Sequence, residues 1–392
     1  MARELPAEAR LHLAAGMGPA GDAWFRAALA DGVDWDGLLA MVERDHAYIA
    51  LWQRVQAAGA ERVPPEPRER LRRLAMVAGF RQGRLEARLA DALDALTAER
   101  IPVLLLKGAA LAAGVYGSFA ERPMADLDLM VPAEDAPRAQ RRLLGGGWTP
   151  WSDAPDARLE ALYATHHHRP PLVDTAGSGV VLEVHVQPLP PGNPFAFGAA
   201  EMWRDARPVR VAGGDALAPS PAHQLLHLCL HFAWAHALRS GAWRTLRDVR
   251  TLAERAPPDW PAFAALARDA HAASCAYWSL RLARGLMGAA VPAEVLSALR
   301  PRGPEALHAR LERHFAATLF AGAACPSPWL SQRLWEMAIC PRAQGHGAAR
   351  PWQRDAEFAA AGIAPADTGE ALRTASWRDL SGWRRWLTAV SA

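Results

Sequence analysis

The chain has 392 residues, 51% of them hydrophobic and 22% charged, with a formal net charge of +3. At ~150 residues per domain that length holds two or three domains, and such ordinary globular usage excludes a largely disordered, collagenous or membrane-spanning chain. The weak positive balance supplies no electrostatic argument for a long nucleic acid partner.

Residues 1–98 are predicted to be helical. Leucines and alanines recur at three- and four-residue spacing from Leu11, over Trp35–Ala57, and over Leu71–Leu96. The cluster Pro64-Pro65-Glu66-Pro67 separates the second run from the third. The first residues carry no apolar stretch of signal-peptide length, so a cytoplasmic location without a membrane partner is expected.

The pattern then changes. Ile101–Leu106 is a short apolar run of buried-strand length. Ala109–Tyr116 reads as a pair of helical turns closed by Gly117. Leu127, Leu129 and Val131 alternate with Asp126, Asp128 and Met130, a second strand. Glu134–Leu144 reads as an amphipathic helix. Val180–Val186 alternates again, with Tyr163–Val173 its candidate partner. Pro208–Val211 and Ala216–Ala218 flank Gly213-Gly214-Asp215 and predict a hairpin. Ser220-Pro221 starts a helix with a capping serine and a proline at the first position. Helix then continues to about Phe320. The expected organisation is a helical region at 1–98, an α/β core with a hairpin at 99–218, a helical domain at 219–340, and a tail with short helices at 341–392. The class is α+β.

The chemistry gathers in the core. Lys107 is the only lysine beside 43 arginines. A position that keeps its lysine under such a bias fits a need for a compact ammonium. Lys107-Gly108 closes a strand and opens a helix. Gly108 is expected to let backbone approach a ligand, and the first helical amides to meet an anion. Lys107, Gly108, Ala109 and Arg122 are the candidate triphosphate contacts. Asp126 and Asp128 share a strand face, ~6.6 Å apart along the chain. Two carboxylates brought to ~5 Å repel by about 3 kcal/mol at an effective dielectric near 20. A divalent cation turns that repulsion into binding, and hard oxygen ligands suit Mg²⁺ or Mn²⁺. A wet edge strand is the plain alternative for a motif this short. Glu183, in the alternating Val181–His185, supplies a third carboxylate if the two strands are neighbours. Three such groups suit two-metal phosphoryl transfer. His185 shares the face of Glu183 and is a candidate phosphate contact or orienting partner.

Leu104-Leu105-Leu106-Lys107-Gly108-Ala109-Ala110-Leu111, Tyr116, Arg122-Pro123-Met124-Ala125-Asp126-Leu127-Asp128-Leu129-Met130-Val131 and Leu182-Glu183-Val184-His185 together resemble the uncharacterised nucleotidyltransferase family of the DNA polymerase β-like superfamily. The likeness is close over about residues 85–190 and looser to about 255, through a His-rich helix and Arg247-Asp248-Val249. It implies a small mixed sheet with helices on one face. It implies transfer of an NMP group from an NTP to an acceptor, with two metals held by Asp126, Asp128 and Glu183. The sequence departs from active members at the phosphate turn, where Lys107-Gly108-Ala109 stands in place of Gly-Ser or Gly-Gly and offers no serine hydroxyl. The glycine-to-aspartate gap is also long.

Other residues carry weaker signals. His166-His167-His168 reads as a wet strand or loop with alternating faces, and His168 is a secondary candidate for a ligand contact. His223, His227 and His231 are spaced four apart on one helical face, with His236 a turn later. Without H-E-x-x-H they read as a polar stripe lining the nucleotide cleft, with His231 a secondary candidate. Trp234, Trp243, Trp260 and Trp278 read as helix-packing residues. Cys229, Cys275, Cys325 and Cys340 form no C-x-x-C pair and read as thiols in a reducing compartment. The acceptor is expected to be a protein, peptide or small molecule. The alternative is a catalytically inactive nucleotide- or partner-binding protein of a modification or toxin–antitoxin pathway.

Overall fold

The computed structural model describes residues 5–152, 163–339 and 379–391. The chain divides into two compact units, one of Met1–Arg68 with Leu228–Ala392 and one of Glu69–His227. The first 68 residues of the helical region expected at 1–98 cluster with the C-terminal helices, whereas 69–98 belong to the unit that holds the sheet. Of the expected tail, 341–378 lies outside the described residues, and Leu380–Ser391 is a helix.

The unit of Glu69–His227 holds a seven-stranded mixed sheet. Its strands are β1 (Leu104–Leu105), β2 (Asp126–Met130), β3 (Trp148–Pro150), β4 (Leu172–Asp174), β5 (Val181–His185), β6 (Arg207–Val211) and β7 (Gly214–Ala218). Their order is β3-β4-β5-β2-β1-β7-β6. β2 runs parallel to β5, and β1 parallel to β7; the other pairs are antiparallel. This mixed sheet among many helices fits the expected α+β class.

Period-two alternation divides the two faces of the sheet. Leu127 and Leu129 of β2 join Leu182 and Val184 of β5 in one apolar cluster. Against them pack Leu85, Leu89, Leu93 and Leu96 from the helix Pro65–Ala98, and Ala139 and Leu143 from the helix Ala136–Leu144. Each fully buried leucine contributes about 1.5–3 kcal/mol relative to exposure. The same alternation turns Asp126, Asp128, Glu183 and His185 to the opposite face.

The strand expected over Tyr163–Val173 is shorter than its span. Pro170 and Pro171 lack amide donors and interrupt it, leaving β4 at Leu172–Asp174 and a single bridge between His168 and His185. The edge strand β3 had no clear alternating signal, being only three residues long.

The other unit is helical. Ala7–Gly16, Trp35–Arg44, Ala242–Arg255 and Ala273–Met287 are among its helices. Asp34 and Asp259 cap two of its helices by accepting the amides of Gly37 and Ala262. Trp234, Trp243 and Trp278 are buried in its core, while Trp260 is half-buried. His12 is fully buried, stacks on Trp243 and bonds Asp45 at 2.9 Å. Cys229, Cys275 and Cys325 form no disulfide among the described residues, and Cys340 lies outside them. Among the described residues no helix is long and apolar enough to cross a membrane.

Candidate active site

The site begins with strand pairing. The parallel register of β2 and β5 sets Asp128 opposite Glu183 and Met130 opposite His185. His185 therefore reaches back along the same face. Its Nε2 lies 2.9 Å from Asp128 Oδ1 and 3.3 Å from Glu183 Oε2. A carboxylate can only accept, so Nε2 carries the proton and donates. One ligand atom each from Asp128, Glu183 and His185 falls within 4.8 Å of the others. Asp126 shares the strand face at its first position and is half-buried, but it is not in that group. The sheet thus brings Asp128 to Glu183, with His185 rather than Asp126 completing the closest set.

Lys107 stands two residues past β1, at the start of the helix Lys107–Leu111, with a left-handed φ of 44°. A non-glycine residue there costs roughly 1–2 kcal/mol, and such strain gathers at functional positions. Its ammonium, on a side chain 21% exposed, donates to Asp128 Oδ1 at 2.8 Å. This alters the expectation that a cation must relieve the carboxylate repulsion, because Lys107 and His185 already offset it.

The charges confirm the balance. Burial alone would lower the Lys107 pKa, but Asp128, Glu183 and Asp126 raise it above its ordinary value. Burial alone would raise Asp128, yet Lys107 and His185 hold it well below the usual carboxylate range. Glu183, which burial would also raise, is brought down to about 2 by His168, His185 and Lys107. Burial would lower His185, but its bonds to Asp128 and Glu183 raise it.

The expected triphosphate turn has a different local logic. A Cβ at Gly108 would meet Met124 Sδ at 3.1 Å and Arg122 Nη1 at 3.4 Å. A side chain here would make the Met124 and Arg122 side chains before β2 give by a few tenths of an ångström. Ala109 is buried in the apolar cluster. Arg122 is buried, and its Nη1 donates to Pro123 O at 2.7 Å.

Gln82 was not anticipated. Its Nε2 donates to Met124 O and its Oε1 accepts Met124 N, both at 3.0 Å. This pair of hydrogen bonds anchors the segment leading into Asp126. The signal was available: Gln82 stands three and seven residues before Leu85 and Leu89, on the same core-facing stripe.

Of the strand and loop expected for the histidine run, the structure has a bend at His166 and His167 and a single bridge at His168. The three rings gather, with His168 Nε2 at 3.8 Å from Glu183 Oε2. Burial pushes His168 down to about 4 and His167 well below its usual range, so both are neutral near pH 7. On the following helix it is His227 that senses the site. It bonds Pro188 O at 3.0 Å, and burial, with Lys107 and His185 nearby, brings it down to about 3. His223 is tied to Ser220, and His231 belongs to the other unit, where its ring packs on His236.

The two carboxylates, Asp128 and Glu183, are hard oxygen donors that suit a divalent ion. Ion binding there competes with the Lys107 ammonium and the His185 proton for the same oxygen, which makes it pH-dependent.

A family model described as an uncharacterised nucleotidyltransferase matches residues 31–288, about two thirds of the chain. No curated protein and no solved structure matches it.

Proposed function

This chain belongs to the uncharacterised nucleotidyltransferase family, and on that premise we propose that it moves an NMP group from an NTP to an acceptor at the Asp128–Glu183 cluster, with Mg²⁺ or Mn²⁺. The observation that carries the reading is the parallel pairing of β2 with β5, which opposes Asp128 and Glu183 on one face. Those two carboxylates, with Asp126 beside them on the strand, would hold the metal. When bound, the ion supplies charge neutralisation for the triphosphate and the departing pyrophosphate.

The chain's own residues supply positioning. In-line displacement at phosphorus requires alignment and charge compensation more than a nucleophilic side chain. Lys107, whose ammonium pairs with Asp128 at 2.8 Å, would supply positive charge for a phosphate oxygen. Arg122, packed beside Gly108, adds positive charge. Gln82 holds the Met124 backbone and so fixes the entry into β2. The net charge of +3 favours a protein, peptide or small-molecule acceptor over a long nucleic acid.

A second reading has its own support. The Lys107–Asp128 ion pair at 2.8 Å already compensates the site, as suits a protein that binds nucleotide without transferring it. Incubation with α-labelled NTPs, Mn²⁺ and candidate acceptors separates the two. Transfer predicts metal-dependent labelling with pyrophosphate release, abolished by Asp126→Asn/Asp128→Asn. Undiminished labelling in that variant contradicts the site. Calorimetric NTP binding without pyrophosphate release on any acceptor favours the second reading.

A further inference from the structure

The histidine run is a second cluster with its own chemistry. His166 and His167 lie in a bend rather than a strand, so three consecutive imidazoles converge. Their centroids are 4.3 Å apart for His166–His167 and His166–His168, and 4.6 Å for His167–His168. One ligand nitrogen from each lies within 4.8 Å of the other two.

Backbone contacts hold the segment in place. Arg169 N donates to Val184 O, and Val186 N to His167 O, both at 2.8 Å. The segment is thereby clamped along β5. His168 Nδ1 lies 2.7 Å from the carbonyl of Arg169. A carbonyl only accepts, so the proton sits on Nδ1 and Nε2 keeps its lone pair. His167 Nδ1 is shut off from solvent and has no hydrogen-bond partner. Buried nitrogens are normally satisfied, and an orphan here points to a missing partner.

We propose that His166, His167 and His168 form a metal site, beside the carboxylate cluster and with its own ligands, for a borderline divalent ion of the zinc class. Three imidazoles with no carboxylate among them suit zinc, cobalt or nickel and are a poor set for magnesium. The site stands whether or not the protein transfers nucleotides. The bound ion would tie the bend to β5, with the Glu183 carboxylate 3.8 Å from His168.

The probe is Co²⁺, titrated into metal-stripped full-length protein and followed by its visible ligand-field bands. With millimolar Mg²⁺ present to occupy the carboxylate cluster, the expected result is one equivalent of Co²⁺ bound and displaced by Zn²⁺. His166→Ala/His168→Ala should weaken Co²⁺ binding about 100-fold, and Asp128→Asn should leave it intact. His167→Asn, checked for folding by circular dichroism, gives an independent variant and should also weaken it. The proposal is overturned if wild-type protein shows no bands with Mg²⁺ present, or if the folded histidine variants keep them.

Discussion

Among the described residues, two buried histidine–aspartate pairs, one in each unit, share the same 2.9 Å contact and have opposite electrostatics. In the helical unit, burial keeps His12 below its usual pKa despite Asp45, and Arg44 takes the same Asp45 oxygen at 2.8 Å. His12 also stacks on Trp243, whose Nε1 donates to the His12 carbonyl at 2.6 Å. One carboxylate there serves one cation and a neutral ring, and the pair is a packing device. In the sheet unit, β5 brings a second carboxylate, Glu183, against the same imidazole, and His185 is raised instead. Strand pairing, rather than the pair itself, separates a structural contact from a charged cluster.

The comparison breaks most sharply by removing one aspartate from each pair. Asp128→Asn should reduce transfer by 100- to 1,000-fold, on the order of 3–4 kcal/mol in the barrier, with little change in circular dichroism. Asp45→Asn should spare transfer. It leaves Arg44 and His12 without their carboxylate and should cost about 3 kcal/mol of stability in urea titration, with activity per folded molecule unchanged. Equal effects on both readouts from either variant would erase the distinction.

A smaller effect is expected at Gln82. Gln82→Ala removes both bonds to Met124 and should lower stability by about 1–2 kcal/mol. Since Met124 leads into Asp126, turnover at saturating NTP should also fall, and Gln82→Glu, which can still accept from Met124 N, should restore part of it.

The smallest effect is a pH slope. The folded pKa of His12 lies below its ordinary 6.5, so as pH falls below 6.5 the unfolded chain takes a proton that the folded chain refuses. Stability contributed here is present above pH 6.5 and is lost on acidification, by at most about 1.4 kcal/mol per pH unit. Asp45, lowered from 3.8 to about 2, contributes stability above pH 3.8 that disappears as pH falls towards 2. His12→Asn should flatten the dependence between pH 6.5 and 5, read from urea midpoints at each pH.

Much of this was legible where the signal is local. Alternation in Asp126–Met130 and Val181–His185 marks two strands and places the acidic residues on the face away from the leucines. The lone lysine marks Lys107, which does meet Asp128. The register opposing Asp128 to Glu183 is a long-range pairing that no local pattern encodes, so which carboxylate and which imidazole sit closest was not legible. The histidine run misled because alternation assumes an extended chain, and the chain bends at His166 and His167. The four-residue spacing of His223, His227 and His231 holds only while the α-helix lasts. It gives way to a π-helical turn at His231, which leaves His227 as the residue near the site charges.

The central claim is that Asp128 and Glu183, opposed across parallel strands, hold the metal of a bound NTP. Electron paramagnetic resonance of Mn²⁺ with a non-hydrolysable NTP analogue tests it without knowledge of the acceptor. The account predicts that the nucleotide-dependent bound-Mn²⁺ signal of the wild-type protein disappears in folded Asp128→Asn/Glu183→Gln. An unchanged signal in that variant would contradict it.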